Sequence, residues 1–408
     1  MSELTRSRTL NNAVTDENAS RSVGRAKTIA GASLGAQRKA LGEVRNWQTQ
    51  SQDDAKIETT STQEVRSQRD WELEGPSRKK RQIYMSDDES ESDDESQGSG
   101  ASTSSTKRPR LEEGPAHRAL QSWRDLDRDE KDDVCMVYEY TDDIFDHLYQ
   151  REKQTTPTYN YLTATDSPQY LRPSLRAILI DWLVEVHQKF QLLPETLYLA
   201  INVMDRFMSM RKVSMAKLQL LAVSSLLIAA KFEEVNLPKL SQYAYITDGA
   251  CSSQDIKDAE MYVLTTLKFN IGWPNPLNFL RRISKADNYD VQARSVAKFF
   301  LEYAMCCPKF VDIIPSRVSA MAMFCARQSL DKDDKWDSTF EHYSGGVDPL
   351  NEPEFQDLCR DLIKEISKPT TQLKALEAKY SSKQMGSVFE PAKIWCDLMV
   401  ASKFEDLF

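Results

Sequence analysis

Residues 1 to about 130 show no sustained apolar period: Ser, Thr, Gln and charged residues dominate. A segment of that kind buries too little apolar surface to offset its chain entropy, so 1–130 reads as a disordered tail. From residue 131 the pattern changes. Val134, Val137, Tyr138, Thr141, Phe145 and Leu148 fall on one helical stripe, with Asp142, Asp143 and Asp146 on another face, which predicts a helix over 131–152. The run Leu175–Val186 is apolar almost all round a helical wheel, broken only by Arg176, Asp181 and Glu185. Such a helix is enclosed by its neighbours.

Pro194 suits the first turn of a following helix, 194–210, and Ser214 caps a third, 215–232. Further helices are expected over 238–245 and 253–268, the last capped by Ser252 or Ser253. Trp273–Pro276 then interrupts the chain, and helical periods resume over 276–285, 289–306, 315–330, 351–367 and 369–380. The expected fold is all-α: two tandem five-helix domains, 153–272 and 273–385, preceded by the helix and the tail and followed by an extension, 386–408.

Composition narrows the chemistry. Of 13 glycines, eight lie before residue 115, so the helical part lacks the glycine of a Rossmann or P-loop phosphate cradle. The net charge is −9, and nucleic-acid binding, which runs on excess Lys and Arg, is not expected. The longest apolar run, Leu220–Ala230, contains Ser224 and Ser225 and is short of the roughly 18–20 residues of a membrane span. The N-terminus has no apolar stretch of secretory type. Seven cysteines without a Cys-x-x-Cys pair, and four histidines, give a metal site little support. No cofactor and no catalytic group are expected, and a reducing compartment suits the thiols.

Several strings occur in order: Arg176-Ala-Ile-Leu-Ile-Asp-Trp-Leu-Val-Glu-Val186, Leu197–Ala200, Asp205–Phe207, Lys217–Leu220, Ala230-Lys-Phe-Glu-Glu234 and Tyr245–Asp248. Together they resemble the cyclin box, within cyclins the mitotic B type, and Phe279–Asp287 is similar to fungal members. The resemblance implies a non-catalytic regulatory subunit that forms a heterodimer with a mitotic-type cyclin-dependent kinase. On that resemblance it would drive entry into mitosis and then be degraded by the ubiquitin–proteasome system; the alternatives are an S-phase-promoting B-type cyclin or a transcription factor built on the same paired fold. A cyclin clamps a kinase helix so that its glutamate pairs with the ATP-positioning lysine. By motif, Lys231 and Glu260 would hydrogen-bond the kinase, and Phe232, Leu264, Phe269 and Ile271 would supply apolar surface. Tyr140 and Ile144, with His147 on the same face, resemble the N-terminal helix that also touches kinase. From periodicity alone Lys231 is equally a solvated helix end and His147 a surface group.

A second surface follows from the same resemblance. Leu175, Ile178, Leu179 and Trp182 share one face, Leu218 and Gln219 come from a neighbouring helix, and Glu185 could meet a basic residue. In the family this groove takes Arg-x-Leu peptides, although periodicity does not separate it from core. In the tail, Arg38, Leu41, Val44 and Asn46 resemble a destruction box read by the anaphase-promoting complex and its ubiquitin machinery. Arg78, Lys79, Lys80 and Arg81, with Lys107, Arg108 and Arg110, form basic clusters suited to nuclear import. The expected location is nucleus and cytoplasm, with no membrane partner. Ser86–Ser96, with seven acidic residues in eleven, suits an acidophilic kinase.

Overall fold

The computed structural model describes residues 122–332, 335–405 and 407–408. Among these residues there are fourteen α-helices and no strand. A single turn, α1 (Leu126–Asp129), and two 3-10 turns lead to α2 (Thr141–Thr155). The first five-helix set is α3 (Pro173–Phe190), α4 (Pro194–Met210), α5 (Leu218–Glu233), α6 (Leu240–Ile246) and α7 (Ser253–Thr266). The second half comprises α8 (Pro276–Ala286), α9 (Val291–Cys306), α10 (Pro315–Ser329), α11 (Ser338–Tyr343), α12 (Pro353–Ser367), α13 (Lys374–Ser381) and α14 (Phe389–Ala401).

The apolar pattern accounts for the layering. Every residue of α4 from Thr196 to Ser209 is buried, as are Leu220–Ala230 of α5. α5 packs between α4 and α7, and α9 with α10 forms the corresponding centre of the second half. By length and hydropathy Met215–Glu233 could cross a membrane, but its apolar faces are covered by these neighbours.

Buried polar groups join the halves. Arg176 on α3 is fully buried and grips Asp205 of α4 through two hydrogen bonds of 2.9 and 2.7 Å. Its remaining donors reach the carbonyls of Cys306 and Met305, at the C-terminal end of α9, at 2.7 and 3.2 Å. Those helix-end carbonyls have no intrahelical donor, so the guanidinium satisfies them. Glu302 of α9 accepts from Tyr198 of α4 at 3.0 Å and from Tyr380 of α13 at 2.8 Å, and pairs with Lys379 at 2.5 Å. Asp181 of α3 accepts the Ala375 amide at 2.7 Å, capping α13 across the junction.

Three stretches depart from the sequence reading. Residues 122–130, assigned to the tail, instead lie against the second half, with Asp127 buried. The helix expected from 131 begins at Thr141. Asp133 caps a 3-10 turn by accepting the Cys135 amide at 2.9 Å, and Val137 is left-handed (φ 49°). Short acidic side chains compete with the helix for backbone donors, and Val134 stays 91% exposed. In the second half, α13 starts at Lys374 rather than 369 because Thr370 folds back onto Glu365, its amide and hydroxyl donating at 3.2 and 2.9 Å. α14 occupies most of the expected extension, and α11 is an added six-residue helix capped by Asp337.

Candidate functional site

The end of α5 brings the first candidate pair together. Lys231 lies in its last turn, where the carbonyl end of the helix favours a cation. Its Nζ is 2.6 Å from Glu260 Oε1 on α7, with the lysine side chain 49% exposed and the glutamate 14%. A pair this exposed contributes about 1 kcal/mol or less. Its geometry is therefore cheap to rearrange, and the remaining lysine donors and glutamate lone pairs are available to a partner.

Phe232 follows Lys231 and is 57% exposed. After α7, Lys268 and Phe269 both turn left-handed, at φ 54° and 57°, and the Phe269 amide closes the helix on Leu264 O at 2.8 Å. That turn leaves the Phe269 ring 62% exposed, with Leu264 half-buried. Large apolar side chains held in water at a turn are costly unless a partner covers them. Ile271 departs from the expectation: it is buried and belongs to the core under this surface.

α2 is fastened to the same turn. Arg151 donates from Nε to Gly272 O at 3.0 Å and from Nη2 to Asn270 Oδ1, and Arg206 of α4 donates to Asn270 O at 2.9 Å. Burial, then the nearby Arg151, pushes the Arg206 guanidinium down to about 10. A Cβ on Gly272 would lie 4.0 Å from the Phe232 ring and 3.9 Å from Arg151. α2 therefore runs beside Phe232, and the stripe that ends in Arg151 carries Tyr140, Ile144 and His147, all exposed. The structure thus gathers Lys231, Phe232, Glu260, Leu264 and Phe269 around one turn, with α2 alongside.

Four further residues matter and were not foreseen. Met261, beside Glu260, is 59% exposed; its helical spacing to Leu264 was the available signal. Arg151 and Asn270 hold α2 to the turn, a contact over more than a hundred residues that no local pattern reveals. Glu234 accepts the Leu193 amide and the Thr196 hydroxyl, both at 2.6 Å, and so ties the end of α5 to the start of α4.

The second surface lies on α3 where it meets α5. Ile178 is 41% exposed, Leu175, Glu185 and Gln219 are half-buried, and Leu179, Trp182 and Leu218 are buried. Core and surface readings therefore each hold for part of the set. Trp182 Nε1 and Gln219 Nε2 are buried donors without a partner, an arrangement that costs energy until an acceptor arrives. Among the described residues no lysine, arginine or histidine pairs with Glu185. Asp181, one turn away, has its carboxyl pushed up to about 6, chiefly by burial, with Glu185 and Glu377 adding repulsion. The rim is thus electronegative, and it favours a basic group. Among the described residues no group of His, Cys, Asp and Glu could hold a metal ion.

The model of the cyclin N-terminal domain matches residues 143–272, and that of the cyclin C-terminal domain matches 274–392. The chain belongs to the cyclin family. It is similar to S-phase entry cyclin-5 of Saccharomyces cerevisiae, 58% identical over 291 residues that cover 71% of this chain and 67% of that protein. S-phase entry cyclin-6 of the same yeast is 53% identical over 274 residues, 67% of this chain and 72% of that protein. G2/mitotic-specific cyclin CLB2 of Candida albicans is 50% identical over 224 residues, 55% of this chain and 45% of that protein. This cyclin is a B-type member similar to fungal proteins, and a non-catalytic regulatory subunit of a cyclin-dependent kinase. Arg38, Leu41, Val44 and Asn46, expected to act as a destruction box, and both basic clusters lie outside the described residues.

Proposed function

We propose that this cyclin activates its kinase for the onset of DNA replication. The observation that carries the reading is its similarity to two S-phase entry cyclins, at 58% and 53% identity over about two thirds of each chain. The kinase docks on the turn formed by Phe232, Glu260 and Phe269, with Lys231 hydrogen-bonding its backbone and Tyr140, just before α2, and Ile144 of α2 closing one side. The exposed rings at 232 and 269 support that surface. Mitotic activation is the second reading, favoured by the 50% identity to a G2/mitotic-specific cyclin.

The strip on α3 is a docking groove for substrates that carry an Arg-x-Leu segment. Ile178 and Leu175 receive the leucine, Glu185 the arginine, and the unpartnered donors of Trp182 and Gln219 take peptide carbonyls. Arg38, Leu41, Val44 and Asn46 act as the degradation signal read by the anaphase-promoting complex, and the clusters at 78–81 and 107–110 direct nuclear import from the cytoplasm. Kinase activity recovered with this cyclin from synchronised cells separates the two readings. The S-phase reading expects activity to rise as replication begins; a first appearance after replication is complete would establish the mitotic one.

A further inference from the structure

The segment before α2 is held as a ligand would be. Trp123 stacks on His342 with ring centroids 3.5 Å apart and planes 7° from parallel, and meets Tyr343 edge-on. The Tyr343 hydroxyl accepts the Leu126 and Asp127 amides at 2.8 and 3.0 Å. Asp127 is 6% exposed and is gripped by Arg282 through both oxygens, at 2.9 and 2.7 Å, and by Lys285 at 2.7 Å. Lys285 also pairs with Glu130 at 2.6 Å, and Tyr289 donates to the other Glu130 oxygen at 2.6 Å. An acidic segment led by tryptophan thus fills a basic and aromatic groove made by α8, Tyr289 and α11.

Arg282 carries the contact onward. Its guanidinium lies 4.3 Å from the Phe145 ring centre of α2 and 4.6 Å from that of Tyr343. Phe145 and Tyr149 both pack on Phe279 of α8, at 6.4 and 5.3 Å. Glu152, on the same face of α2, accepts the Ser316 amide and hydroxyl at 2.9 and 2.7 Å. The inward face of α2 is therefore set by the second half of the molecule, and the outward face, with Tyr140 and Ile144, is set with it.

We propose that residues 122–130 form a strap whose Asp127, acting through Arg282, positions α2 for the kinase. Without the Asp127 carboxylate, Arg282 would be a buried cation lacking its counter-charge while Lys285 kept only Glu130, and the guanidinium would leave the Phe145 ring for water. Asp127 and Trp123 are positioning residues: they work through Arg282 and the groove. The inference rests on the reading that α2 faces the kinase, and the test separates the two.

In the full chain, Asp127→Ala and Trp123→Ala are compared with wild type by amide exchange and by titration with a monomeric cyclin-dependent kinase. The strap account expects Phe145–Tyr149 amides to exchange roughly tenfold faster, with α4 and α5 unchanged. Kinase affinity should fall about 3- to 10-fold, a little over 1 kcal/mol at its upper end, and Asp127→Glu should recover most of it. Wild-type exchange in α2, or faster exchange spread equally over α4 and α5, overturns the strap. If Asp127→Ala does not fold, Trp123→Ala decides, because its half-buried ring stacks outside the ion cluster. Ile144→Ala supplies the control. If it weakens kinase binding while the strap variants do not, the positioning role is refuted; if it has no effect on affinity, the kinase-facing reading of α2 fails and exchange alone judges the strap.

Discussion

At the scale of single residues, buried charge decides more than the exposed pair does. Arg176 spends its donors on Asp205 and on two helix-end carbonyls. Removing it leaves a buried carboxylate without a cation, so Arg176→Ala should cost about 3–5 kcal/mol in denaturant unfolding; a loss below about 1 kcal/mol would contradict this account of the junction. Asp181 behaves in the opposite sense. Its folded carboxyl is pushed up from 3.8 to about 6, chiefly by burial, so the ionised form is disfavoured in the folded state. The stability this group contributes is complete below pH 3.8 and lost as pH rises through about 6. Asparagine keeps an oxygen for the Ala375 amide without the charge. Asp181→Asn should therefore raise stability at pH 7.5 by on the order of 1 kcal/mol, allowing for solvent screening, and have little effect at pH 4. Equal stability at both pH values would refute the assignment.

At the scale of elements, long apolar periods were legible and polar turns were not. The cores of α3, α4, α5, α9 and α10 lie where their apolar runs place them, because each is enclosed by neighbours and its period is dense. The start of α2 was misread because Val134 and Val137 continue its stripe arithmetically, whereas Asp133 and the left-handed Val137 divert the backbone. α14 had a readable buried face in Phe389, Ala392 and Cys396, and α11, at six residues, is too short for any period. The docking of α2 rests on a glycine that sequence alone could not single out. A Cβ on Gly345 (φ +82°) would come within 2.8 Å of the Tyr149 ring. Gly345→Ala should therefore destabilise the protein by about 1–3 kcal/mol and loosen α2 first; an unchanged melting temperature with unchanged α2 amide exchange would contradict that packing.

At the scale of the whole molecule, the turn proposed to face the kinase is legible in part. Lys231, Phe232, Glu260 and Phe269 come from motifs in the first half, and the structure brings them together. Ile271 does not join them, because the chain turns inward after Phe269 and buries it. Neither the rivets at Arg151 and Asn270 nor the strap at 122–130 follows a period, since each depends on partners more than a hundred residues away. The two halves act as one support, joined by Arg176, Asp181 and Glu302, with the strap and α2 laid across them. The central claim is that this support presents the Lys231–Glu260 turn to a kinase. Its most direct test is the phosphorylation of a Ser/Thr-Pro peptide by a monomeric cyclin-dependent kinase mixed with the purified chain. Wild type should raise the rate strongly over kinase alone, and Lys231→Ala with Glu260→Ala should lower that activation at least about tenfold, equivalent to about 1.4 kcal/mol of lost coupling. Full activation by the double variant, with the fold intact, would contradict the account.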